Sequence, residues 1–170
     1  MELRFLQPDV RCLDETSVEA CVCAIWSDER PMRGLAGLLD WRFGGRLSAL
    51  LKSGFVRGDL GDVLLVPGKP HVPFEKVLVV GLGSRQTFAD EPFRQAMTRI
   101  ASTLEGMRIG RAIIELPGRS TGAIDPERAV ALMFECAGAS REHETWWLVE
   151  DASTEKRLEA SVWSRRFAAR

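Results

Sequence analysis

Lys76-Val77-Leu78-Val79-Val80-Gly81-Leu82-Gly83-Ser84 is an apolar run of strand length that ends in two glycines, and a helical pattern follows it. Phe93, Ala96, Met97, Ile100, Ala101 and Leu104 recur at intervals of three and four, which predicts a helix over 91–105 with Pro92 in its first turn and Asp90 as its cap. The alternation continues downstream. Residues 111–116 read as a strand, and Asp125-Pro126-Glu127 opens a helix that turns Ala129, Val130, Met133, Phe134 and Ala137 inward and stops at Gly138. A strand over 145–149 and a terminal helix from about 153 to 168 complete the pattern. Strand and helix in strict alternation require right-handed parallel crossovers, so the fold class is α/β: three layers, α/β/α, around a mixed, mostly parallel sheet.

Upstream, Cys21-Val-Cys-Ala-Ile-Trp26 is apolar throughout, as a central strand covered on both faces should be. Residues 2–6 form a second short β-favouring run. Leu35, Leu38 and Leu39, then Leu47, Leu50 and Leu51, make two short helical faces separated by Gly44-Gly45 and ending at Gly54. A strand over 62–66 is joined to the one over 76–82 by a connection with three prolines, Pro67, Pro70 and Pro73, which excludes a helix there. No repeat or linker interrupts the chain, and residues 1–170 read as one domain whose loop at 117–125 is the most mobile.

Composition agrees. At 170 residues, 45% hydrophobic and 28% charged, the chain is an ordinary globular sequence, neither disordered nor collagenous nor disulfide-stapled. With 23 basic and 24 acidic side chains there is no overall field to attract nucleic acid or an anionic membrane. Its apolar runs fall far short of the roughly 20 residues that span a bilayer, and the N-terminus lacks a signal-peptide pattern. A cytoplasmic location with free thiols is expected, Cys21 and Cys23 sharing one buried strand face. Nineteen of the 23 basic residues are Arg, whose planar fork suits phosphate, although the same bias follows from a GC-rich genome that favours Arg codons.

Several patterns touch on chemistry. The two histidines, His71 and His143, are not spaced as metal ligands, so neither metal nor cofactor is expected, and Glu142-His143-Glu144 reads as a solvated charged loop. Gly118-Arg119-Ser120-Thr121-Gly122 spells G-x-S-x-G after a strand, and Ser120, Asp125 and His143 stand in the order of a triad. Asp125 is better used as a helix cap, and the segment reads as a flexible turn with no catalytic residue. Gly81-Leu82-Gly83 has the glycines of a phosphate cradle, but Gln86 replaces the third. Gly81, Gly83, Ser84, Gly118, Ser120 and Gly122 are the candidate contacts of a small ligand. The terminal segment carries Lys156, Arg157, Arg165, Arg166 and Arg170 against three acids, too mild a patch to make nucleic acid the expected partner. Trp146 and Trp147 must point to opposite sheet faces, which leaves Trp147, with Trp163 and Phe167 on the last helix, as candidate anchors for a partner.

Taken in order, these segments resemble the N-terminal domain of the leucine aminopeptidase (cytosol aminopeptidase) family. The resemblance is carried by Cys21 to Trp26, Leu39-Asp40, Gly45-Arg-Leu-Ser-Ala-Leu-Leu51 and Gly54-Phe-Val-Arg-Gly58-Asp-Leu-Gly61-Asp62. It continues through Lys76 to Ser84, Phe93-Arg94-Gln-Ala96 and the helix over 129–138. It implies a macro-domain-like fold. It also implies that the two-metal peptidase site belongs to a following domain, whose metal-ligand motifs do not occur in these 170 residues. The chain is therefore expected to be a stand-alone accessory domain with no catalytic residue of its own. As such it would be a non-catalytic interaction or regulatory module that binds a protein partner, such as a protease or aminopeptidase, or itself. A macro-like domain that binds ADP-ribose or a nucleotide is the second expectation. DNA binding, which some bacterial members of the family show, is the third.

Overall fold

All six residues of Ala20–Ile25 are buried, and the strand they form has a neighbour on each edge. In the computed structural model, which describes residues 1–138, 140 and 142–168 and side chains as far as residue 160, the elements alternate along the chain. They run β1 (Glu2–Leu6), α1 (Val10–Glu15), β2 (Ala20–Ile25), α2 (Gly34–Arg42), α3 (Arg46–Lys52), β3 (Val63–Pro67) and β4 (Lys76–Gly81). Then come α4 (Asp90–Gly106), β5 (Arg111–Ile114), α5 (Pro126–Ala137), β6 (Thr145–Val149) and α6 (Ala152–Ala168). The strand order is β1-β6-β5-β2-β4-β3, parallel throughout except where β3 returns antiparallel on β4. The expected α/β class and mixed, mostly parallel sheet are found.

Period-two alternation divides the core between the two faces of the sheet. Val22, Ala24, Leu78, Val80, Ile114, Trp146 and Leu148 meet Phe93, Met97, Ile100 and Leu104 of α4 and Ala129 and Met133 of α5 on one side. Cys21, Cys23, Ile25, Val77, Val79, Ile113 and Val149 meet Leu13 of α1, Leu35 and Leu39 of α2 and Leu47 and Leu51 of α3 on the other. Among the described residues no helix is long and apolar enough to cross a membrane.

Local differences have local causes. Helix α1 was not anticipated because it has six residues and a single buried one, Leu13, so it carries no readable period; Asp9 caps it by accepting from the Arg11 amide at 2.7 Å. Asp90 lies inside the first turn of α4 rather than capping it, and its carboxylate binds the Arg128 guanidinium of α5. Asp125 occupies the cap position of α5 but makes no capping hydrogen bond, its side chain lying 3.7 Å from Arg157. Phe134, expected inward, is half-buried, and Leu132 takes a place in the core.

Cys21 and Cys23 are fully buried, and burial pushes both thiols well above their ordinary range, whereas Cys12 and Cys136 are half-buried. A thiolate-specific reagent under native conditions is expected to modify Cys12 and Cys136 and to reach Cys21 and Cys23 only on unfolding. Peptide mapping of the labelled protein checks this; early labelling of β2 would contradict the two-sided burial of that strand.

Candidate functional site

Parallel strands deliver their following loops to one edge of the sheet, the usual location of a ligand crevice in open α/β folds. Here the loops after β2, β4, β5 and β6 converge at that edge, and each brings a charged residue directly behind an apolar strand. These are Asp28 and Glu29 after β2, Arg85 after β4, Glu115 and Arg119 after β5, and Glu150 after β6.

The Gly-Leu-Gly turn after β4 is engaged by its own chain. The Gly81 amide donates to the Asp62 carbonyl (2.9 Å), the Leu82 amide to Ile25 (2.9 Å) and the Gly83 amide to Gly58 (2.8 Å). Side chains continue the pattern, the Ser84 hydroxyl and the Arg85 amide both donating to the Asp28 carboxylate at 2.7 and 3.1 Å. Asp28 is held below its ordinary range first by the Ser84 hydrogen bond. A Cβ on Gly81 would sit 2.1 Å from the Asp59 carbonyl oxygen, and Gly83 is left-handed at φ +74°. Glycine is needed at position 81 because the turn at 58–62 lies against it.

The β5 loop is built on a buried carboxyl. Glu115 is 3% exposed; its Oε1 accepts from the Leu35 amide at the start of α2 (2.8 Å), while Oε2 has no hydrogen-bond partner among the described residues. Burial pushes the carboxyl up to about 7, against the amide hydrogen bonds of Leu35 and Ala24 and with the Glu150 and Glu29 charges adding to the rise. Arg119 and Glu150, both largely buried, form a two-pronged ion pair with N–O distances of 2.7 and 2.9 Å, and Arg119 also donates to the Ile124 carbonyl at 2.7 Å. Glu29, buried behind β2, faces Arg85 at 3.4 Å and Arg33 at 3.5 Å. A shallow depression of about 340 Å³, lined by Asp28, Arg85, Gln86, Thr121 and Ala123, lies at this edge.

Gly118 and Gly122, both left-handed, flank a 3₁₀ turn over Arg119–Thr121, and a Cβ on Gly118 would strike the Phe88 ring at 2.6 Å. Ser120 is half-buried beside Gly34: a Cβ built on that glycine would lie 2.4 Å from Ser120 Cβ and 2.3 Å from Glu115 Oε1. No triad assembles. Ser120 follows β5 at the C-terminal edge of the sheet, whereas His143 precedes β6 at the opposite edge, so the sheet separates them. His143 is buried rather than solvated. Its ring lies 4.6 Å from that of Trp146 and its Nε2 3.4 Å from Glu105, and burial lowers its basicity. Among the described residues no three His, Cys, Asp or Glu side chains gather as a metal site.

Of the adjacent tryptophans, Trp146 is fully buried, and Trp147, the candidate anchor, is half-buried, with the Arg4 guanidinium 5.4 Å above its ring. The side chains of Trp163 and Phe167, like those of Arg165, Arg166 and Arg170, lie outside the described residues. Arg157 is bound to Glu127. Among the described residues, the large apolar side chains that do face solvent are Trp41 (70%), Phe55 (71%), Leu65 (49%) and Leu60 (38%). None of these four was named from sequence as a partner contact, nor were Glu29, Glu115, Arg119 and Glu150 named as site residues. The one sequence signal was an acid one step beyond an apolar strand, as in Ile113-Ile-Glu115 and Leu148-Val-Glu150.

The sequence profile of the cytosol aminopeptidase family, N-terminal domain, matches residues 22–141. A probable cytosol aminopeptidase of Halorhodospira halophila is 38% identical over 98 residues, 58% of this chain and 20% of that protein. The cytosol aminopeptidase of Pseudomonas aeruginosa is 29% identical over 133 residues, 78% of this chain and 26% of that protein. The chain thus matches about a fifth to a quarter of the length of these relatives. Among solved structures, the macrodomain of Thermus aquaticus DarG superposes with a TM-score of 0.66 at 16% identity, covering 88% of this chain and 98% of that one. Tomato leucine aminopeptidase superposes with a TM-score of 0.60 at 14% identity, covering 94% and 35%. At such identities the likeness is one of fold.

A carboxyl raised in the folded state binds its proton to higher pH than the unfolded chain does, so its contribution to stability is present below the ordinary value of 4.5 and is lost as pH rises to about 7. Glu115→Gln keeps an acceptor for the Leu35 amide and removes the charge. Denaturant unfolding across this window should show the slope flattened, with a gain on the order of 1–2 kcal/mol at about pH 8. An unchanged slope would assign the pH dependence to other groups.

Proposed function

The chain belongs to the cytosol aminopeptidase N-terminal domain family, and from that premise we propose that it is a non-catalytic interaction module that regulates or scaffolds a protein partner. The observation that carries this reading is the condition of the crevice. The amides of the Gly-Leu-Gly turn donate to the chain's own carbonyls, and the Arg85 amide beyond it to the Asp28 carboxylate. Buried Glu29, Glu115 and Glu150 crowd the same edge. An anionic ligand such as ADP-ribose would have to displace these bonds, which costs more than entering a preformed cradle would. Solvent-facing apolar side chains, by contrast, stand outside the crevice at Trp41 and Phe55. Aromatic groups of this kind supply most of the energy where proteins meet. The partner expected for a domain of this family is a protease or an aminopeptidase.

Two measurements test the proposal. Titration calorimetry of the chain with ADP-ribose is expected to give no heat of binding at millimolar ligand, and saturable binding would overturn the reading in favour of a ligand-binding domain. Affinity capture from native lysate is expected to yield a stoichiometric protein partner. Trp41→Ala and Phe55→Ala should each weaken that association roughly tenfold or more, because truncating a buried aromatic anchor costs about 2 kcal/mol. Capture unaffected by both substitutions would remove this surface from the interface.

A further inference from the structure

The two edges of the sheet are unlike. β1 carries Glu2 and Arg4, an exposed ion pair at 3.1 Å, and charges of this kind keep an edge strand from pairing with another chain. β3, Val63-Leu64-Leu65-Val66-Pro67, has no charged residue, and Leu65 at its centre is half exposed.

Register determines which backbone groups of β3 are free. Val63 pairs with Val80 and Val66 with Val77, and the Gly81 amide donates to Asp62 while the Gly68 amide donates to Glu75. Residues 62, 64, 66 and 68 therefore direct their backbone groups toward β4. By the alternation of an antiparallel ladder, Val63, Leu65 and Pro67 direct theirs outward. Among the described residues, nothing hydrogen-bonds the outward N–H and C=O of Val63 and Leu65 or the C=O of Pro67.

We propose that β3 pairs with β3 of a second copy of this chain, antiparallel about a two-fold axis at Leu65, to join two six-stranded sheets into one. This rests on the protein-interaction reading above and names the partner at one edge. The pattern is self-complementary. Leu65 of each copy exchanges N–H and C=O with Leu65 of the other, and each Val63 N–H donates to the Pro67 carbonyl of the other copy. Pro67 stands where its missing N–H deprives only the Val63 carbonyl of the second copy. Charge matches as well. The chain entering β3 carries Asp59 and Asp62 against Arg57, net negative by one charge, and the chain leaving it carries Lys69, with Lys76 opposite Pro67. Glu75 lies 3.7 Å from both lysines and leaves that end net positive. The antiparallel two-fold sets the acidic end of one copy against the basic end of the other, twice, and covers both Leu65 side chains.

Sedimentation velocity on the full chain tests the pairing. The wild type is expected to sediment at twice the mass of one chain. Leu65→Pro removes only an outward donor and Leu65→Lys adds an edge charge; both should sediment as monomers while keeping the wild-type circular dichroism spectrum. If the proline variant does not fold, the lysine variant decides alone. A dimer that persists in the folded variants overturns the proposal. So does a wild type that is monomeric at its highest soluble concentration, whether the edge then stays bare or takes an extended segment of another protein. A monomeric wild type leaves the interaction-module reading standing, because that reading falls to calorimetry and capture.

Discussion

Two-sided burial of β2 is the constraint from which the architecture follows. A strand with no polar residue and hydrogen-bonded neighbours on both edges has nothing to offer water, so helices must cover it above and below. Helices α2 and α3 cover one face, and α4 and α5 the other. Crossovers of that kind keep β2, β4, β5 and β6 mutually parallel, and parallel strands send all their outgoing loops to one edge. The crevice exists because β2 is buried.

That edge is occupied by the chain's own groups. The backbone of residues 58–62 packs against Gly81. The acids behind the strands are tied to the structure: Glu150 to Arg119, Glu29 to Arg85 and Arg33, Glu115 to the first turn of α2. The Glu115 contact joins the central sheet to the helical layer through a single carboxylate oxygen. The same carboxyl carries a desolvation cost that rises when it ionises. Its partnerless Oε2 makes it the least satisfied group at this edge, while the rest of the crevice is balanced charge against charge.

The exterior of the sheet carries chemistry of its own. That exterior is uneven. Charges guard β1, and Arg4 also lies over Trp147, whereas β3 carries no charge and leaves Leu65 half exposed. Antiparallel return of β3 onto β4 is the one departure from parallel order, and it places an uncharged strand at the rim.

Sequence alone determined the elements with a strong period and the class they imply. Phe93 to Leu104 could be read because one buried face repeats over about three turns, and Ala20 to Trp26 because an unbroken apolar run of strand length has few alternatives. The segments from Cys21 to Gly138 also carried the family resemblance. Only the tertiary structure decided what lies between the elements, because that depends on contacts distant in sequence. Gly81 lies against the turn at 58–62, and Glu115 meets an amide 80 residues upstream. His143 is buried because α4 and Trp146 close over it, although its neighbours in sequence are both glutamates. Trp41 and Phe55 are apolar residues left outside because α2 and α3 turn other side chains to the sheet. Periodicity marks which residues a helix or strand can bury; the packing of its neighbours decides which it does.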